Sequence, residues 1–198
     1  MARTIVREDI MPMEAYTKVR ADSRRRMAAL KEDRRVSVGP FTTFHFENRD
    51  TMLHQIHEML YIERGGEPQI AEEIEAYLPL VPNGRELIAT MMIEIEDEAT
   101  RRRELARLGY IEDKVSLTVE AGSERRTIKA VSEDDEERTN AEGKTSSVHF
   151  FHFPFDDGAV ALFKKPEARV VLSIDHSNYG HMAILPPPVK AALESDFD

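Results

Sequence analysis

Residues Phe44 to Arg64, FHFENRDTMLHQIHEMLYIER, oblige the chain to change its local geometry within one short stretch. The segment ending at Phe46 reads as a strand, whereas Met52, Leu53, Ile56, Met59 and Leu60 fall three or four apart and describe one apolar arc of a helix. A turn at Asn48–Asp50 has to join them, with Asp50 the expected N-cap of a helix Thr51–Arg64. A chain that switches period this sharply combines helix and sheet in one core.

The flanking sequence fits that class. Met13 to about Arg34 reads as a helix, with Tyr16, Val19, Ser23, Met27 and Leu30 on one face. Val36, Val38 and Phe41–Phe46, around Gly39–Pro40, predict two short strands or one bent strand. Gly65–Gly66 stops the second helix, and Pro68 opens a third. Leu87–Glu96 is a strand with alternate residues inward, and Asp97 caps a helix that Gly109 ends. Val115–Val119 and Arg126–Ala130 form a hairpin about Ala121–Ser123. Thr145–Phe153 is a strand, Asp156–Lys165 a helix, and Arg169–Asp175 and His181–Leu185 two strands joined by a tight loop before a short terminal helix. Strands that follow one another through turns, with helices concentrated early, predict an α+β fold. The expected form is a mainly antiparallel sheet of about six strands, with helices of the N-terminal half packed on it. No repeat or boundary divides residues 1–198, so one domain is expected, with a helical arm to about residue 35 and an acidic loop over about 132–142.

Composition narrows the chemistry. The chain has no cysteine, which removes disulfides, thiolate catalysis and cysteine-held zinc or iron–sulfur clusters. No apolar run approaches the roughly 20 residues needed to cross a bilayer, and the opening residues lack a signal-peptide apolar region. A cytoplasmic location is the expectation. Residues 1–35 carry ten Lys/Arg against six Asp/Glu, yet the whole chain has a net charge of −10. Arg24–Arg26 and Arg34–Arg35 could meet phosphate, but the overall field repels polyanions and argues against a nucleic-acid partner.

Three stretches concentrate proton carriers and metal ligands. On the Thr51–Arg64 helix His54, Glu58 and Tyr61 share the polar arc, and His54 and His57 are three apart. Glu63 falls by phase amid the apolar stripe, so either the helix has ended there or the carboxylate is buried against a partner. In KTSSVHFFHFPF, preceded by Gly143, the resulting GKTS string lacks the upstream glycine and following helix of a phosphate-binding loop. Strand geometry sends His149 and His152 to opposite faces. In IDHSNYGHM, a Ser177–Gly180 loop sets His176 and His181 opposite one another with Cβ atoms about 5 Å apart, a spacing for two imidazoles on one divalent metal. Iron, manganese or zinc suits such a set.

FENRDTMLHQIHEMLYIER, EGKTSSVHFFHF and DHSNYGH, with VSVGP and PNGRELIATMMIE, resemble an uncharacterised bacterial family, the domain of unknown function 3501. The likeness covers nearly the whole chain. The resemblance implies no established activity; it implies genes beside rubrerythrin-like proteins and iron–sulfur oxidoreductase subunits, hence a redox-associated role. It anchors the pattern at Glu47, Arg49, Gln55, Glu58, Glu63, Arg64, Lys144, Ser146, His149, His176 and His181, and demotes His54 and His57, since relatives often carry Gln at 57 and lack His at 54. The resulting expectation is a metal- or anion-binding accessory. Glu58, Glu63, His149, His176 and His181 are its candidate metal ligands. Glu47, Arg49, Gln55, Arg64, Lys144 and Ser146 are its candidate ligand-binding residues. The alternatives are a non-catalytic module docking oxidoreductases, and a metal-independent hydrolase with His149 as base.

Overall fold

A computed structural model describes residues 4–133 and 138–198. The centre of the acidic loop expected over 132–142 lies outside the described residues. Six α-helices and nine strands are described: α1 Met13–Glu32, β1 Arg35–Val38, β2 Thr42–Glu47, α2 Arg49–Glu63, α3 Glu67–Tyr77, β3 Glu86–Ile93, α4 Glu98–Arg107, β4 Val115–Ala121, β5 Glu124–Lys129, β6 Val131–Ser132, β7 Val148–Pro154, α5 Asp157–Phe163, β8 Arg169–His176, β9 Tyr179–Ile184 and α6 Pro187–Glu194.

The fold is α+β and its described strand ladders are antiparallel, but the strands form two sheets where one was expected. Five strands run in the order β1-β2-β3-β7-β6, and four in the order β5-β4-β8-β9. The split has a packing cause. Val36, Phe44, Phe46, Leu87, Ala89, Met91, Phe151 and Phe153 make one sheet apolar on one face, and Leu117, Val119, Val170, Leu172 and Ile174 do the same for the other. Each buries that face against its counterpart.

The other face of the five-stranded sheet carries Ile88 and Phe150, which pack under α2 and α3 with Ile5, Ile10, Met52, Ile56, Leu60 and Ile70. A helical layer therefore covers the larger sheet, fed by the N-terminal segment 4–12. No described helix is long and apolar enough to cross a membrane.

Helix α2 begins two residues earlier than expected, at Arg49 and not Thr51, because Asn48 and not Asp50 is its cap. The Asn48 Oδ1 accepts the Thr51 N–H at 2.9 Å, and the Thr51 hydroxyl oxygen accepts the Asn48 N–H at 2.9 Å.

Candidate functional site

Helix α2 ends in a turn that holds one arginine in an uncommon conformation. Arg64 lies in the left-handed region at φ 58°, a backbone that costs a residue with a Cβ roughly 1–2 kcal/mol. The neighbouring side chain of Gln69, itself buried, fastens this turn. Its Oε1 accepts the Gly65 N–H at 2.8 Å, and its Nε2 donates to Glu63 at 2.6 Å and Glu73 at 2.8 Å. Gly65 permits the approach, since a Cβ there would lie 2.5 Å from the Gln69 oxygen. Glu63 is thus the exposed last residue of the helix, serving the turn, and is neither buried nor beyond the helix end.

That turn places Arg64 on the edge of a cleft of about 580 Å³ between the N-terminal segment, α1, α2 and α3. Met11, Met13, Leu60, Tyr61 and Ile70 give it apolar walls. Arg7 and Glu67 at its rim are bonded to each other, Nε to Oε2 at 3.1 Å. The Arg64 guanidinium has no hydrogen-bond or ion-pair partner among the described residues. An unpaired, always-charged planar donor beside an apolar cleft is suited to a carboxylate, sulfonate or phosphate carried on an apolar body.

Behind the Tyr61 wall, α1 and α2 are joined by a polar network. Arg20 donates to both Glu58 oxygens, at 2.9 and 2.8 Å, and its guanidinium lies 4.3 Å from the Tyr61 ring centre. Tyr16 donates to Glu58 at 2.7 Å and stacks on His57 with ring centres 4.8 Å apart. The Arg20 bonds hold the Glu58 carboxyl below its usual range. Burial, then the Glu58 bond, raise the Tyr16 hydroxyl. His57 donates from Nδ1 to the Leu53 carbonyl at 2.8 Å and accepts the Met11 N–H at Nε2, at 2.9 Å. It is a neutral imidazole, kept so by burial. Glu58 is accordingly committed to Arg20 and Tyr16.

Strand β7 carries two further histidine–carboxylate arrangements. His149 points into the sandwich core, as its alternation with Phe151 and Phe153 predicts, and is fully buried. Its Nε2 donates to the Ser146 carbonyl at 3.0 Å; its Nδ1 and Glu112 Oε2 have no hydrogen-bond partner among the described residues and face one another at 3.9 Å. On the opposite face His152 lies between two carboxylates, Nδ1 to Glu86 at 3.0 Å and Nε2 to Glu133 at 3.6 Å. Sequence reasoning missed Glu86, Glu112 and Glu133, because only strand pairing, and for Glu112 the packing of the turn before β4, brings them to β7.

These environments fix the sign of a pH response. Burial lowers His45, His54, His57 and His149 below the ordinary 6.5, whereas the Glu86 bond raises His152. Below 6.5 the four lowered imidazoles charge more readily unfolded than folded, so their contribution is lost as pH falls; His152 contributes in the opposite sense. The melting temperature is expected to fall between about pH 7.5 and pH 5.5, and to fall more steeply in His152→Gln. A melting series showing the reverse slope contradicts this assignment.

Two comparisons decide the family. The family model described as "Protein of unknown function (DUF3501)" matches residues 4–197. The chain belongs to the DUF3501 family. A crystal structure of a novel protein of unknown function from Burkholderia pseudomallei K96243 is 41% identical, covers 98% of this chain and 100% of its own, and superposes with a TM-score of 0.89. No curated protein matches the chain.

The positions expected from the DUF3501 pattern fall in separate places. Glu47 is buried at the end of β2, accepting from Thr51 at 2.7 Å and Thr90 at 2.8 Å. Arg49 fastens the N-terminal segment, through Asp9 at 2.6 Å and the Thr4 carbonyl at 2.8 Å. Gln55 is half-buried on α2. Lys144 is exposed and Ser146 half-buried in the loop entering β7, and the Ser146 hydroxyl accepts the Val148 N–H at 3.2 Å.

The His176–His181 pairing requires correction. The β8–β9 turn is Ser177–Asn178, two residues shorter than the expected loop, so His176 stands opposite Tyr179 and His181 opposite Ile174. His176 bonds the Asn178 N–H and the Gly109 carbonyl, each at 3.2 Å, using both ring nitrogens. His181 packs on Tyr179. Among the described residues no three His, Asp or Glu side chains are grouped as metal ligands, so the five candidates do not form one cluster.

Proposed function

We propose that this DUF3501 protein is a non-catalytic binding module that takes an amphipathic anion into the helical cleft. The observation that carries the reading is the Arg64 guanidinium, without a partner among the described residues, at the edge of an apolar cleft and held there by a strained turn. Arg64 grips the acid group, and Met11, Met13, Leu60 and Ile70 cover the apolar body; methionine walls accommodate more than one shape. The gene neighbourhood implied by the resemblance gives the setting. The module would act in the cytoplasm as an accessory to rubrerythrin-like or iron–sulfur oxidoreductase partners, its charged surface docking them.

Anilinonaphthalene sulfonate, an aromatic body with one sulfonate, is a suitable probe. Fluorescence titration is expected to give one saturable site, displaced by octanoate. Arg64→Glu should weaken binding at least about tenfold, equivalent to about 1.4 kcal/mol, with the melting temperature little changed. Equal affinity in the wild type and Arg64→Glu sinks the reading.

His149 and Glu112 favour a second reading, in which an iron, manganese or zinc ion serves the redox partners. Two bare donor atoms 3.9 Å apart are within the span of one ion bound to both at about 2.0–2.1 Å. Metal analysis of protein prepared without a histidine tag should then show near-stoichiometric metal that Glu112→Ala abolishes. Metal-free protein that takes up no added metal ends it.

A further inference from the structure

The N-terminal segment 4–12 crosses α2 and α3 as a strap and supplies one wall of the cleft. Its attachments come from three sides. Ile5 and Ile10 are buried in the helical core. Arg49 holds Asp9 and the Thr4 carbonyl, and Glu67 of α3 holds Arg7. At its C-terminal end, where the backbone passes into Met11, Pro12 and α1, the attachment is a side chain. The Met11 N–H donates to His57 Nε2 at 2.9 Å.

Pro12 has no N–H, so the Met11 amide is the last strap donor before α1. The receiving imidazole is itself immobilised, by its Nδ1 bond to the Leu53 carbonyl and by stacking on Tyr16. Met11 and Met13 are cleft walls, and Leu60 of the opposite wall lies one helical turn from His57 on the same helix. The strap wall and the α2 wall are therefore tied to each other through one ring.

We infer that His57 is a positioning residue for the cleft: by pinning the Met11 amide it fixes the strap wall against α2 and so sets how tightly an apolar ligand body is held. The inference rests on the ligand-binding reading of the cleft. An amide side chain can also accept an N–H through oxygen and donate through nitrogen.

Two variants separate the pin from the packing. His57→Phe keeps a ring to stack on Tyr16 but offers no acceptor; His57→Gln restores an acceptor without the ring. In His57→Phe the Met11 amide is expected to exchange with solvent at least about tenfold faster. Anilinonaphthalene sulfonate should dissociate about tenfold faster, its association rate little altered. His57→Gln should recover most of both. Unchanged Met11 exchange in His57→Phe overturns the pin. Faster exchange with unchanged dissociation overturns its control of the cleft. Failure of His57→Gln to recover either, in protein that melts normally, assigns the effect to ring packing and also overturns it. Wild-type protein that binds neither the sulfonate nor octanoate refutes the cleft as a ligand site and the control inferred for it, while the exchange measurement still judges the pin.

Discussion

Asp196→Ala is expected to lower the stability of the folded chain by about 3–5 kcal/mol. Arg34, between α1 and β1, is buried, and its guanidinium donates to both Asp196 oxygens at 2.8 Å. A third bond, to the Ala192 carbonyl at 3.2 Å, ties the same group to α6. Removing the carboxylate leaves a cation that cannot lose its proton in a low-dielectric site. Domains have only about 5–15 kcal/mol in total, so the loss is a large share. The effect comes from orphaning the charge, not from an intrinsic strength of the pair. The double replacement Arg34→Met with Asp196→Leu should therefore recover most of the deficit. Urea unfolding midpoints check both. If Asp196→Ala is within about 1 kcal/mol of wild type, the pair is solvated and the argument fails.

Tyr179→Phe should cost about 2–4 kcal/mol through three backbone groups. The Tyr179 hydroxyl donates to the Val38 carbonyl at 2.8 Å and accepts the Phe41 and Thr42 N–H groups at 2.9 and 3.2 Å. It thereby joins the β1–β2 turn of one sheet to β9 of the other. The turn gives way to admit the ring: Gly39 has φ 72°, and a Cβ there would stand 2.6 Å from the hydroxyl and from His181. Without the hydroxyl the Phe41 and Thr42 amides lose this acceptor together, while the Val38 carbonyl keeps only the Thr42 hydroxyl of its two side-chain donors. Thermal unfolding of Tyr179→Phe beside His181→Ala distinguishes this from ring packing, since only the first should show the large loss. A change under about 0.5 kcal/mol in Tyr179→Phe contradicts the role.

The period of the apolar residues made much of the fold legible. Leu87, Ala89, Met91 and Ile93 are all inward, and His149 follows Phe151 and Phe153 into the core. Periodicity could not say which strands share a sheet, because two antiparallel hairpins pack face to face or edge to edge with the same alternation. It also left turn lengths open, and a two-residue difference at Ser177–Asn178 moved His176 from His181 to Tyr179.

Long-range polar pairing was least visible. Arg34 reads as half of a basic pair open to phosphate, yet its partner is 162 residues away. Glu112 reaches His149 only through the packing of the turn before β4. At Arg64 the sequence signal was present in ERGG, a helix end followed by two glycines. That pattern locates a turn; it does not reveal that the arginine itself takes the left-handed position and has no partner among the described residues.

The most direct test of the cleft is an amide chemical-shift titration of the full chain with octanoate. Saturable shifts are predicted at Met11, Met13, Leu60, Tyr61, Arg64 and Ile70, and are expected to be lost in Arg64→Glu. Shifts centred on His149 and Glu112 or on the β8–β9 turn, or no saturable shifts at all, would contradict the account.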